Sequence, residues 1–433
     1  MTRKKLLRYI LLLLCYICIG TFSLITFLYL FMDASTIGWL LAIFYPSIAP
    51  MLFILVLTSG FIVIRFSFLR RQREMLLVVG ICTFIFIGTA LPYATIPFGI
   101  AEAENQMLNT YGSLYSDLDT SAMRPVPYSL YDDLLGITID QTGYSVEYDI
   151  EYLDNGQDKM FFDWYCPAGE GPFPVIIAIH GGAWVIGNKG PMNIPLFNHY
   201  FASKGFVVFD IQYGLFDLST LPNDQFNTFA AFATMGGGLL PNYNRSYNIQ
   251  DQIENVGYFT KMMELNSTKF KADIDNVFII GRSAGGNLAS LVTLGYKNPL
   301  FEGNFSSGMT VRGGVWFYPV TNITRDDAGS FDSFVEGNLP IEEQYKKLFA
   351  ANLITNSTIV PPILILHGSK DGLATYSIQG LGFYNLASSL GRKCLFITIP
   401  NAGHGFDYDF SGFGGQLSTY YVERFIALEL IGG

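Results

Sequence analysis

"NVFIIGRSAGGNLASLV", running from Asn276 to Val292, decides how this chain folds. Four apolar residues, Val277 to Ile280, lead toward Ser283, and glycines stand two before it and two and three after it. An unbroken apolar run predicts a strand buried on both faces. The residues after the serine switch to helical spacing, so the bend between the two falls on Ser283 itself. Glycines at 281 and 285 keep side chains out of that bend. The hydroxyl would then stand at a helix N-terminus, where the dipole favours developing negative charge. The pattern G-x-S-x-G alone does not separate a nucleophile from a turn serine, so the rest of the chain must decide.

Working outward, the same alternation recurs. "YSVEYDIEYL" and "KMFFDWYCP" flank the turn "DNGQD" and read as a hairpin. Short runs rich in Val, Ile and Phe follow: "PVIIAIH", "FVVFDIQY", "NVFIIG", "VRGGVWFYPV", "PPILILHG" and "CLFITIP". Segments with helical spacing lie between them, notably 249–265 and 285–296. Apolar strands alternating with helices predict an α/β fold with a mostly parallel sheet flanked by helices. The long, Gly- and Phe-rich connection Leu215–Asn248 reads as a lid or pocket wall, and 321–358 as a second such segment.

Upstream, the composition changes. Tyr9–Met32, Ala34–Ile64 and Met75–Ala101 are free of charged residues. Each exceeds the ~20 residues that cross a bilayer, and the first exceeds a signal peptide's apolar core of ~7–15. Three transmembrane helices are expected, with Pro46, Pro50, Pro92 and Pro97 kinking them or marking their ends. Arg3, Lys4, Lys5 and Arg8 precede the first, and Arg65, Arg70, Arg71 and Arg73 separate the second from the third. Basic loops stay in the cytoplasm. The reading is an integral membrane protein with a cytoplasmic N-terminus and an extracytoplasmic or lumenal catalytic part. The units are a membrane domain over 1–100, a juxtamembrane linker (with a helix) over 101–140, and a catalytic domain over 141–433. Residues 1–97 hold eight Lys/Arg against two Asp/Glu, a net of +6; the chain carries −10, leaving −16 beyond. That acidity argues against a nucleic-acid partner. N-x-S/T sequons at Asn244, Asn266, Asn304, Asn322 and Asn356 are compatible with a lumenal domain.

Three further stretches bear on Ser283. "HGGAW", His180–Trp184, directly follows a predicted strand. Its glycines let the chain turn N–H groups toward one point, as an oxyanion requires. The expected donors are Gly181, Gly182 and Ala284. Among the four histidines, His404 lies just past the last strand, between glycines, and suits a general base. His180 is expected to brace the oxyanion loop, His199 to be structural and His367 to order a loop. Asp371 suits the carboxylate that orients His404; Asp326, Asp327, Asp332 and Glu336 are its rivals. The order Ser283, Asp371, His404 is that of an α/β-hydrolase. Cys166 and Cys394 fall on separated strands, and neither a metal nor a cofactor is expected.

These motifs resemble the α/β-hydrolase family, over about residues 144–433. The nearest likeness is to the carboxylesterase branch related to hormone-sensitive lipase and bacterial acetyl esterases. There the third glycine of H-G-G-G is usual; Ala183 replaces it here. H-G-G-A-W is also similar to feruloyl-esterase-like members and to isoprenylcysteine methylesterases. The latter likewise carry N-terminal spans and a run like Gly181–Lys189, but act on the cytosolic side, unlike the topology read here. The resemblance implies a serine hydrolase acting on a small-molecule ester, anchored to the lipid bilayer. An acyltransferase or glycan deacetylase using the same residues, an isoprenylcysteine-methylesterase-like enzyme, and a non-catalytic adhesion or scaffold domain remain the alternatives.

Overall fold

A computed structural model describes residues 3–31, 36–67, 72–190, 193–217, 219, 246–322, 347–355 and 359–432. Most of the connection 215–248 and of the segment 321–358 lies outside these residues. So do Arg70, Arg71, the rival acids Asp326, Asp327, Asp332 and Glu336, and the sequons at Asn244 and Asn356.

Three long helices open the chain: α1 (Arg3–Phe31), α2 (Thr36–Ser67) and α3 (Gln72–Tyr111). Arg3–Phe31 and Met75–Tyr111 are long and apolar enough to cross a membrane, and Met51–Phe66 within α2 is a shorter apolar helix. None of the four prolines ends a helix. α3 runs unbroken through Pro92 and Pro97 for 40 residues. The helix expected in the linker is therefore the continuation of the third apolar helix. Packing overrides the local cost of proline here: Ile96, Ala103 and Met107, on one face of α3, are buried in the core beneath the C-terminal sheet.

Eight strands form one sheet in the order β1-β2-β4-β3-β5-β6-β7-β8. β1 (Tyr144–Asp154) and β2 (Lys159–Pro167) are the antiparallel hairpin, and β2 pairs antiparallel with β4 (Val207–Ile211). From β4 onward every pairing is parallel, through β3 (Phe173–Ile179), β5 (Ala272–Arg282), β6 (Val311–Phe317), β7 (Ile363–Gly368) and β8 (Cys394–Ile399). Successive residues of a strand point to opposite faces, so each buried strand feeds two cores. Val277 and Ile279 join a core with Phe259, Leu288 and Trp316. Phe278 and Ile280 join the other, with Phe201, Phe317 and Leu417. That double burial is why these strands read as continuous apolar runs rather than alternations. Cys166 is the penultimate residue of β2 and Cys394 begins β8, far apart in the sheet.

Candidate active site

β5 ends at Arg282, and the helix Ala284–Gly295 begins two residues on. Ser283 sits between them at φ 56°, ψ −119°, a conformation non-glycine residues rarely hold. Its N–H donates to the Phe317 carbonyl at 3.0 Å, and its own carbonyl accepts from Asn287 N–H. A side chain at Gly281 would overlap the Gly285 carbonyl, and one at Gly285 the His180 carbonyl. The flanking glycines are thus a steric requirement of the bend.

The parallel strands bring three distant residues together at their C-terminal edge. Asp371 stands in the turn after β7 and His404 in the loop after β8. Those two loops are stitched by Ser369 N–H to Ile399 O and Lys370 N–H to Ala402 O. His404 Nε2 lies 2.8 Å from Ser283 Oγ, and His404 Nδ1 lies 2.8 Å from Asp371 Oδ2. Asp371 Oδ1 accepts from Leu373 and Ala374 N–H, both at 2.9 Å. His367 Nε2 donates to the Ala374 carbonyl at 2.7 Å and stands 3.1 Å from Asp371 Oδ2. Burial alone would raise the Asp371 carboxyl. The neighbouring His404 and hydrogen bonds from both histidines override it and hold the group below the usual carboxylate range.

The loop after β3 approaches the serine from the other side. Gly182, Ala183 and Trp184 have φ of 122°, 51° and 63°, a left-handed run that aims successive amides inward. The Cβ that Gly181 lacks would point at Ser283 Cβ, 3.3 Å away. Among the described residues, none accepts from the N–H of Gly181, Gly182 or Ala284. The loop is braced from behind. His180 Nδ1 donates to the Gly181 carbonyl, Tyr213 Oη donates to the His180 carbonyl, and the two rings stack at 4.2 Å. Complete burial pushes the His180 imidazole down to about 4, only partly offset by its bond to Gly181. Gln252 Nε2 donates to Trp184 O, and Trp184 Nε1 to Asn287 Oδ1. His199 lies elsewhere, in the helix Pro195–Ser203, with its Nδ1 2.6 Å from Tyr144 Oη.

Four residues that sequence reasoning did not single out complete the frame. Asn287, besides accepting from Trp184, donates through Nδ2 to the Val320 and Leu348 carbonyls. Arg282 Nε pairs with Asp407 Oδ2 at 2.7 Å, both side chains buried, and its guanidinium lies between the Phe197 and Phe317 rings. Tyr318 Oη donates to Asp407 Oδ1, and its ring packs 4.4 Å from that of His404. The residue before Ser283 is thereby tied to the loop that carries His404. One signal was available: a charged residue between a buried strand and a buried helix needs a partner, and "HGFDYDF" offers aspartates. Among the described residues no cluster of His, Cys, Asp or Glu is arranged to hold a metal. An open cleft lined by Lys261, Glu264, Tyr296 and Phe301 lies at the far end of the helix that starts at Ala284, about 18 Å away at 1.5 Å per residue.

The strand order, the covering helices and the bend at Ser283 define an α/β-hydrolase fold. Within that class, the family model named BD-FAE matches residues 162–231 and 242–380. The chain is 27% identical over 299 residues to the "Probable carboxylic ester hydrolase LipM" of Mycobacterium tuberculosis, covering 66% of this chain and 61% of that protein. It is 25% identical over 269 residues to the "Esterase LipQ" of the same organism, covering 60% and 57%. The chain thus spans about three-fifths of the length of these curated relatives. Among solved structures, esterase B from Lactobacillus rhamnosis superposes with a TM-score of 0.51 at 17% identity, covering 78% of this chain and 98% of that one. These relatives carry the names of ester hydrolases, and the chain is similar to them in sequence and in fold.

Proposed function

We propose that this chain is a membrane-anchored serine hydrolase that cleaves carboxylic esters through an acyl-enzyme intermediate. The observation that carries the reading is the hydrogen-bonded series Ser283 Oγ, His404 Nε2, His404 Nδ1, Asp371 Oδ2, each link 2.8 Å, beside three uncommitted amide N–H groups. Ser283 attacks the ester carbonyl while His404 takes its proton. Asp371 holds the Nδ1–H tautomer and stabilises the imidazolium. The carbonyl oxygen becomes an anion and accepts from Gly181, Gly182 and Ala284 N–H. Each such donor is worth about 2.7–4 kcal/mol in the transition state. His404 then protonates the departing alcohol, leaving the acyl group on Ser283. A water repeats the sequence with His404 as base, releasing the acid.

The apolar helices anchor this domain. Leu7, Leu14, Ile54, Phe61, Leu77 and Ile87 point outward and exposed from the three helices, as lipid-facing residues do. Arg8, at the basic end of α1, donates to the Phe66 carbonyl at the end of α2. Tyr29, at the other end of α1, meets the hydrolase part. The hydrolase domain therefore sits on the side opposite the basic termini, extracytoplasmic or lumenal by the positive-inside rule.

The test is Ser283→Ala in the full chain. Hydrolysis of p-nitrophenyl acetate is expected to vanish while the thermal unfolding midpoint stays at the wild-type value, and a fluorophosphonate probe is expected to label wild type but not the variant. Wild-type turnover in the variant would overturn the assignment.

A further inference from the structure

The direction of the sheet relative to the anchoring helices is fixed by their contacts. Along α3, Tyr93 packs on Phe413, Tyr421 Oη donates to the Ile100 carbonyl, and Tyr111 Oη donates to Glu429. The helix Phe413–Gly432 thus runs parallel to α3, away from the apolar segment. β8 runs the other way. Lys393, just before it, lies over the Tyr111 ring, whereas Pro400, just after it, is the neighbour of Gly99. The lengths agree: Gly99 to Tyr111 rises about 18 Å along a helix, and a six-residue strand spans about 20 Å. Because β3, β5, β6 and β7 are parallel to β8, their C-terminal ends all point back along α3 toward its apolar part.

That edge carries Ser283, Asp371, His404 and the loop His180–Trp184. Asn401, three residues before His404, sits between the end of α1 and the end of the uncharged run of α3: its carbonyl accepts from Tyr29 Oη, and its Nδ2 donates to Thr95 Oγ1. Lys370, next to Asp371, lies over the Tyr29 ring at 4.4 Å. Tyr29 falls three residues before the end of its uncharged run and Thr95 six before the end of its own, the depth at which tyrosines mark a membrane interface. Three residues span at most about 10 Å, so His404 lies within that distance of this level.

A second observation points the same way. The helix Leu130–Leu135 is held at the level of Tyr93, through the Tyr128 ring against the Tyr93 ring and Ile137 N–H on Ser411 Oγ. Its polarity is inverted for a helix facing water. Asp132 pairs inward with Arg124 and Asp133 accepts from Tyr128, while Leu130, Tyr131, Leu134 and Leu135 are 54–70% exposed. Leu373, two residues past Asp371, and Phe98 of α3 are exposed as well. An apolar surface of this kind at the end of membrane helices fits the headgroup boundary of a bilayer.

We propose that the active-site edge faces the bilayer and that the substrate is a long-chain, lipid-like ester drawn from the leaflet in which the enzyme is anchored. This rests on Ser283 as nucleophile and on the apolar helices as spans. The reaction is the hydrolysis already described, with the fatty chain remaining in lipid.

The test uses the full chain in phosphatidylcholine vesicles with 4-methylumbelliferyl oleate placed either in the same vesicles or in separate ones, and p-nitrophenyl acetate in water as the soluble ester. Oleate ester in the shared bilayer is expected to turn over at least tenfold faster than in separate vesicles, with none in Ser283→Ala. Cleavage of p-nitrophenyl acetate without cleavage of the shared-bilayer oleate, or equal rates from shared and separate vesicles, overturns the proposal and leaves the esterase reading standing. Cleavage of neither ester overturns both. Placement is read independently with Leu134→Trp: its added fluorescence over wild type is expected to be quenched by phosphatidylcholine brominated high on the acyl chain. An unquenched tryptophan contradicts the bilayer-facing edge.

Discussion

Replacing Asp371 by Asn tests the chemistry most sharply, because the structure dictates how the amide must sit. Asp371 Oδ1 accepts two backbone N–H groups, from Leu373 and Ala374. Asparagine keeps its oxygen there, because turning its NH2 toward them would strand two buried donors at about 1–3 kcal/mol each. The amide NH2 therefore faces His404 Nδ1, where Oδ2 stood at 2.8 Å. Two donors cannot face each other, so the imidazole moves its proton to Nε2, the nitrogen 2.8 Å from Ser283 Oγ. The serine then meets a donor where it needs an acceptor, and the imidazolium loses its counter-charge. Where this change has been made in a Ser-His-Asp site with the geometry kept, the loss is about ten-thousand-fold, or about 5 kcal/mol of transition-state stabilisation. The assay is initial-rate hydrolysis of p-nitrophenyl acetate by the full chain, with the thermal midpoint measured alongside. A folded Asp371→Asn protein that loses less than tenfold would refute the reasoning and return attention to Asp326, Asp327, Asp332 and Glu336.

Two further perturbations probe the frame around the site. Arg282→Met leaves Asp407 buried without its cation; the expected loss is about 3–5 kcal/mol in urea unfolding, largely regained in the double variant with Asp407→Leu, and a single variant as stable as wild type would show the pair to be dispensable. His180 gives a pH signature: its folded value near 4 lies below the ordinary histidine value, so the unfolded chain binds the extra proton between the two. Its contribution is full above about pH 6.5 and is lost as pH falls toward 4, on the order of 3 kcal/mol. His180→Asn is expected to flatten the urea midpoint across that window, and an unchanged slope would mean the imidazole is not held neutral.

The parts of the fold legible in the sequence are those specified by near neighbours. Val277–Ile280 followed by Gly281-Arg282-Ser283-Ala284-Gly285 fixes a strand, a bend and a helix within a dozen residues, because the bend needs its glycines beside it. His180–Trp184 and the loops holding Asp371 and His404 are legible for the same reason: each follows an apolar strand, and parallel strands deliver their C-terminal loops to one edge. What escaped was specified across the chain. The pairing of Arg282 with Asp407 spans 125 positions and the bond from Tyr29 to Asn401 spans 372, and no local pattern marks either. α3 misled for a related reason. Its uncharged run ends at Ala101, so hydropathy stops the helix there, but Glu104 accepts from Tyr115 and Tyr421, and Met107 is buried in the core beneath the sheet.

That continuity of α3 links the apolar helices to the candidate site. A helix broken at the end of its apolar run would leave the sheet on a tether, free to present any edge to the apolar helices. A helix built into the core fixes the edge. Proline at 92 and 97 and glutamate at 104 look locally like signals to stop, yet each falls on a stretch whose other face is packed, at Ile96 and Gly99 against the second core and Pro400, and at Met107 within that same core. The same packing that extends the helix brings Tyr29 and Thr95 onto Asn401. The loop bearing His404 is thus held jointly by the sheet, by Asp407 with Arg282, and by two apolar helices, so its position against those helices is set by the same contacts that set its distance from Ser283.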